Sequence, residues 1–242
     1  MYFLATETVQ TVSESIEKVQ PIDLWVPDYN LRAPRSLFQS ELARSTNMTL
    51  AVLAVSRPLA PNIEVYASTD ALKVMASEPA VWVFNHMDFS DPLVVGAMAH
   101  RLGLMLPRFA AMAELFRADN PQLANFTASV GGFPLDRELL RAGNKSAVVQ
   151  LFRVTDYILS ELEESLVLFP EGGIHKKPSD YKNKISAITD TAMRIARRNK
   201  VPLMVGGLAG TRMLALKMPF PPNRRKVGIA LRCVYGHDEL PK

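Results

Sequence analysis

The chain has 242 residues, 48% of them hydrophobic and 21% charged, a composition that excludes a disordered or fibrous protein and fits one large domain with an appendage. Its net charge of +4 is uneven: residues 1–70 hold five Lys/Arg against eight Asp/Glu, net −3, leaving 23 against 16, net +7, in residues 71–242. The single cysteine, Cys233, cannot close an internal disulfide, no run approaches the roughly 18 apolar residues of a spanning helix, and the N-terminus turns acidic at Glu7, Glu14 and Glu17 instead of opening like a signal peptide. A soluble or peripheral protein in a reducing compartment is expected.

Residues 1–20 are polar and weakly periodic. Pro21 to Pro34 carries three prolines with Trp25 and Tyr29 and reads as an extended segment. A helix is expected from Ser36 to Arg44, then a short apolar run, Met48 to Val55, ended by Pro58 and Pro61. Ile63-Glu64-Val65-Tyr66 reads as a first strand. From about residue 71 strands and helices alternate, beginning with the apolar run Ala80-Val81-Trp82-Val83-Phe84 and a helix that starts on Pro92 and closes at Gly103. Residues 108–118 and 121–129 read as short helices, and Val130 to Leu135 as a strand running into Asp136-Arg137. Next comes a long amphipathic helix with Asn144 as N-cap, followed by the strand Ser165–Phe169. A helix from about Ile185 to Asn199, the strand Val201–Val205 and a last strand from Lys226 to Tyr235 complete the pattern. The expected fold is α/β, a mostly parallel central sheet flanked by helices, with residues 1–70 as a mainly helical N-terminal segment and residues 71–242 as the main domain.

The most informative stretch is Asn85-His86-Met87-Asp88-Phe89-Ser90-Asp91, in the turn between the first buried strand and the Pro92 helix. Open α/β sheets build active sites in such turns. A histidine takes up a proton near neutral pH, and a carboxylate within reach fixes its tautomer and stabilises the imidazolium. No serine or cysteine nucleophile stands beside the pair, so a catalytic His86 would activate a hydroxyl of the substrate. His-x-x-x-x-Asp also arises by chance, and a strand-end histidine is often a plain turn residue; from these residues alone the two readings are even. His86, Asp88 and Asp91 are all metal-ligand types as well, but His100, His175 and His237 show no ligand spacing, and no metal is expected.

Two further blocks lie at strand ends. Gly131-Gly132-Phe133-Pro134-Leu135-Asp136-Arg137 sets an arginine, a charged fork suited to phosphate, after glycines that let backbone approach a ligand. Phe169-Pro170-Glu171-Gly172-Gly173 follows the next strand and offers backbone N–H donors.

With Val201-Pro202 as a weak fourth block, this order resembles the glycerolipid acyltransferase superfamily, most closely the 1-acylglycerol-3-phosphate acyltransferases, over about residues 80 to 205. The resemblance implies that His86 is the general base on the acceptor hydroxyl and Asp91 its support, with direct attack on an acyl thioester and no acyl-enzyme. Arg137 would bind the acceptor phosphate, and Glu171, Gly172 and Gly173 would shape the acceptor site. No cofactor is implied. The chain departs from many members after Glu-Gly: where they carry threonine and arginine, it reads Gly173-Ile174-His175-Lys176-Lys177, so Lys176 or Lys177 becomes a candidate for the second positive charge, as a point charge and not a fork.

The implied partners are an acyl-carrier protein or coenzyme A thioester, a lysophospholipid and a membrane surface, with the enzyme cytoplasmic and peripheral on the inner face. Residues 22–61 and the Pro219–Lys226 stretch are candidates for lipid contact, and equally for core and a solvated hairpin. Met98, Leu104, Met105, Leu106 and Met112 would line an acyl groove or pack as core. The cluster Arg194, Arg197, Arg198 and Lys200 reads as a solvated helix face, and no aromatics interleave with basic residues as a nucleic-acid platform requires. Glycerol-3-phosphate or another lysolipid as acceptor, a non-catalytic lipid-binding protein and a metal-dependent phosphoesterase are the alternatives.

Overall fold

Val81, Trp82, Val83 and Phe84 are all buried, the two valines in one hydrophobic cluster and the two aromatics in another. That pattern belongs to a strand covered on both faces. The computed structural model describes residues 63–86, 88–116, 119–170, 190–211 and 227–240, and in it this run lies inside a seven-stranded sheet.

The chain begins with strand β1 (Ile63–Ala67), helix α1 (Thr69–Ser77), β2 (Val81–Val83), α2 (Asp91–Arg101) and β3 (Arg108–Met112), which ends in a 3-10 turn at Ala113–Phe116. It continues with α3 (Pro121–Ser129), β4 (Gly132–Leu135), α4 (Arg137–Arg141), α5 (Lys145–Asp156) with a π turn at Tyr157–Glu161, and β5 (Leu166–Leu168). Helix α6 (Thr191–Asn199), β6 (Leu203–Ala209) and β7 (Val227–Tyr235) complete the described elements. Local chemistry starts several helices: Ser68, Asn120, Asp136 and Asn144 each accept a hydrogen bond from the amide three residues on. Each such cap is worth about 1 kcal/mol.

The strand order is β1-β7-β6-β2-β5-β3-β4. Strands β6, β2, β5, β3 and β4 are parallel; β7 is antiparallel to β6, and β1 follows β7, so those two run opposite to the other five. After β2 the chain builds β3 and β4 on one side, returns with β5 directly beside β2, then crosses to place β6 on β2's other side. The C-terminal end of β2 is therefore a topological switch point, the place where open sheets leave a crevice. Helices α1 and α2 pack on the face holding Trp82, Phe84, Val167 and Met204. Helices α5 and α6 and the π turn pack on the face holding Val81, Val83, Leu166, Leu168 and Leu203. Truncating an enclosed aromatic such as Trp82 or Phe84 to alanine costs about 3–5 kcal/mol.

One expected helix is absent. Arg108–Met112 is the strand β3, followed by the 3-10 turn; residues 117 and 118 lie outside the described residues. The alanines and methionine of this stretch are good helix formers, but intrinsic propensity is small beside tertiary context, and pairing with β4 and β5 overrides it. Its start is pinned by a two-pronged ion pair of Arg108 with Glu164, both buried. Helix α3, the Asn144-capped α5 and the strands at 63–67, 132–135, 166–168 and 227–235 agree with the sequence reading. Of the helix expected from 185 to 199, residues 191–199 are α6, and 185–189 lie outside the described residues. Of the expected N-terminal segment, residues 1–70, residues 1–62 also lie outside them, and the rest holds β1 and the start of α1.

Among the described residues no helix is long and apolar enough to cross a membrane.

Candidate active site

Two devices fix the exit of β2. The Phe84 amide donates to the Leu168 carbonyl at 3.2 Å, tying it to β5. Asn85 then closes the other side with its side chain: Nδ2 donates to the Leu208 carbonyl at 3.0 Å, and the Leu208 amide donates to Oδ1 at 2.6 Å. The carboxamide thus replaces a backbone unit and extends the β2–β6 ladder past Val83 and Val205. Phe84 needs Gly206 beside it, because a Cβ there would press on the Phe84 ring and lie 2.9 Å from the Ala230 carbonyl oxygen. The Asn85 side chain is thus taken up in a structural clamp.

From this anchored exit His86 meets Asp91. Nδ1 of His86 lies 2.9 Å from Oδ2 of Asp91; the imidazole is 17% exposed and the carboxylate fully buried. Asp91 is the first residue of α2, where the positive end of the helix favours a carboxylate. The turn around it is closed by backbone and side chain together. The Asp88 amide donates to Asp91 Oδ2 at 2.8 Å, the Asp91 amide donates to the Asp88 carbonyl, and Asp88 Oδ1 accepts from both the amide and hydroxyl of Ser90. Asp88 therefore braces the start of α2. These bonds occupy Asp88 Oδ1 and Asp91 Oδ2, and among the described residues no group of three His, Cys, Asp or Glu side chains is gathered around a cation position.

A carboxylate at Nδ1 fixes the proton on that nitrogen and leaves the lone pair on Nε2. The Phe169 ring, at the exit of β5, stacks on the imidazole with centroids 4.5 Å apart and planes 26° from parallel. The sequence reading left Phe169 without a role. Its signal was its place one residue beyond the strand that pairs with β2: Val83 is opposite Leu168, so Phe169 exits next to the turn that carries His86.

The other expected site residues are distributed differently. Arg137 opens α4 at the C-terminal end of β4, the same sheet edge as His86; its backbone is described and its side chain is not. Strands β5 and β3 stand between β2 and β4, about 14 Å of sheet. Gly131 and Gly132 lie at the opposite end of β4, where Gly131 turns the chain at φ 95° and a Cβ on Gly132 would meet Thr127. The expectation that they bring backbone to a ligand beside Arg137 is corrected: they shape the passage from α3 into β4. Glu171, Gly172, Gly173 and Lys176 lie outside the described residues, as do residues 22–61 and Pro219–Lys226.

Met98 and Leu106 are core, Leu104 packs against it, and Met105 is exposed. The exposed arginines of α6 meet neighbouring acids, Arg194 with Asp190 and Arg198 with Asp156, as on a solvated helix face.

A family model described as Acyltransferase matches residues 62–205. The structure is similar to the crystal structure of the 1-acyl-sn-glycerophosphate (LPA) acyltransferase PlsC from Thermotoga maritima, with a TM-score of 0.53 and 15% identity over 98% of this chain and 80% of that one. No curated protein matches the sequence. The family match spans β1 to the middle of β6 and includes the His86 turn: this chain is an enzyme of the acyltransferase family.

Proposed function

We propose that this chain transfers a fatty acyl group from an acyl thioester to the free hydroxyl of a lysophospholipid, 1-acylglycerol-3-phosphate being the acceptor that gives phosphatidic acid. The observation that carries the mechanism is the His86 Nδ1–Asp91 Oδ2 contact at 2.9 Å, which leaves Nε2 as the basic nitrogen. Nε2 takes the acceptor's hydroxyl proton as the oxygen attacks the thioester carbonyl carbon. The tetrahedral adduct collapses, the C–S bond breaks, and the imidazolium returns the proton to the departing thiolate sulfur. One ester and one thiol result, with no acyl-enzyme. A thioester is already activated, so proximity and a positioned base supply much of what the reaction needs.

The acceptor assignment is supported by the likeness in fold to a protein described as an LPA acyltransferase, and by an arginine at the same sheet edge. Arg137 is assigned to the acceptor phosphate, with Glu171, Gly172, Gly173 and Lys176 completing the acceptor site. The donor is an acyl-carrier protein or coenzyme A thioester; either brings negative charge to the basic residues 71–242. We assign the enzyme to the cytoplasmic side of a membrane, as a peripheral protein on the inner face, because its acceptor is an amphiphile held in the bilayer.

The test is an acceptor panel of lysophosphatidic acid, glycerol-3-phosphate and other lysolipids, run with both donor types and read by mass spectrometry. Phosphatidic acid from lysophosphatidic acid is the expected product. Turnover of glycerol-3-phosphate alone, or of a lysolipid without a phosphomonoester, would overturn the acceptor assignment.

A further inference from the structure

We propose that Phe169 is a positioning residue for the acyl transfer, setting the plane of the His86 imidazole and with it the aim of Nε2. The inference rests on the reading of His86 as base. The Nδ1–Oδ2 contact holds one atom of the ring, and beyond its covalent tether at Cβ it leaves the plane of the imidazole free to tilt. The Phe169 ring removes that freedom. At 4.5 Å between centroids and 26° between planes it lies against one imidazole face in the offset stack that aromatic pairs favour, a contact worth about 0.5–1.5 kcal/mol beyond its buried area.

Both rings are held from behind. Phe169 follows Leu168, whose carbonyl accepts the Phe84 amide, so the exits of β5 and β2 are joined one residue before the aromatic and two before the histidine. Phe169 packs on the core formed by Trp82, Phe84 and α2 without being fully enclosed by it. The carboxylate on the imidazole, that of Asp91, acts at Nδ1, while the Asp88 carboxylate is bonded to the amide and hydroxyl of Ser90. The stack is therefore the described contact that acts on the ring face.

A base misplaced by about 1 Å from a productive approach loses on the order of 10²-fold in rate. Phe169→Leu should lower the single-turnover rate of acyl transfer from acyl-coenzyme A to lysophosphatidic acid by about 10- to 100-fold, with little change in acceptor KM. Phe169→Tyr, which keeps the ring, should stay close to wild type. Phe169→Met, flexible and similar in volume, should behave like Leu and serves if the Leu variant does not fold. In proton NMR spectra the carbon-bound ring protons of His86 should carry an upfield ring-current shift that persists in the Tyr variant and disappears in the Leu and Met variants. A folded Leu or Met variant with wild-type rate, a change confined to KM, or His86 resonances unmoved by the substitution would overturn the proposal. His86→Ala separates the two claims: if that variant retains full activity, the base reading fails, while the NMR comparison still decides whether the stack exists.

Discussion

Asn85 and Leu208 are joined by two hydrogen bonds, each backbone polar group of Leu208 meeting its complement on the Asn85 carboxamide. The pair lies one residue before His86 and locks the end of β2 to β6. Asn85→Ala leaves the Leu208 amide and carbonyl without that partner, and should lower stability by about 1–3 kcal/mol. Asn85→Asp keeps the acceptor but sets a carboxylate against the Leu208 carbonyl, and should be no better. Urea midpoints of the two variants check this; a midpoint unchanged in Asn85→Ala would show that the clamp contributes nothing.

Asp91 accepts the Asp88 amide and has one proposed chemical task. Asn in its place keeps the size but loses the charge, and can turn an N–H toward His86 Nδ1, which leaves the proton on Nε2. Asp91→Asn should therefore lower the acyl-transfer rate by about 10²- to 10⁴-fold, the range for general-base catalysis. Single-turnover kinetics on a variant with a native circular dichroism spectrum is the measurement. A rate within about threefold of wild type would remove Asp91 from the mechanism.

Much of this arrangement was legible in the sequence, for physical reasons that can be named. The run Val81–Phe84 is apolar at every position because helices cover both faces of β2, and Asn144 announces α5 because its carboxamide caps it. Five positions bring His86 and Asp91 together because the turn between them ends on the first residue of α2. Strand β3 was illegible: its alanines carry no strand signal, and its identity comes from β4 and β5, whose paired residues lie 23 or more positions along the chain. The role of Asn85 depends on Leu208, 123 residues away, so no local pattern could reveal it. The glycines at 131 and 132 misled because their spacing to Arg137 is close in sequence while β4 carries the arginine to the other end of the strand.

Arg108 and Glu164 form a buried pair at the N-terminal ends of β3 and β5, away from the His86 turn. Removing one partner strands a charge in the interior. Arg108→Met alone should cost about 3–5 kcal/mol, and adding Glu164→Leu should return much of that loss, because an apolar pair of similar volume avoids the desolvation of both ions. Chemical denaturation of both single variants and the double variant tests it; additive losses would contradict it.

Tyr157, in the π turn nearby, has its phenol pKa raised above the ordinary 10.0 by burial first and by Glu161 next, with Glu164 adding and Arg108 opposing. The folded state thus holds this proton to higher pH than the unfolded chain. The contribution is complete below about pH 10 and is lost as pH rises through the folded value. Wild type should lose thermal stability more steeply above about pH 10 than Tyr157→Phe, as a pH series of melting curves would show. Parallel slopes would contradict it.

In the proposed direct transfer, His86 takes the proton of an acceptor hydroxyl. The most direct test is the single-turnover rate of His86→Ala with an acyl thioester and lysophosphatidic acid, alongside circular dichroism and intact-protein mass spectrometry. A folded variant with acyl transfer reduced at least about 10²-fold, and a wild-type protein that never carries an acyl adduct during turnover, is the predicted result. Full activity in the variant, or an acylated intermediate on the wild-type chain, would contradict it.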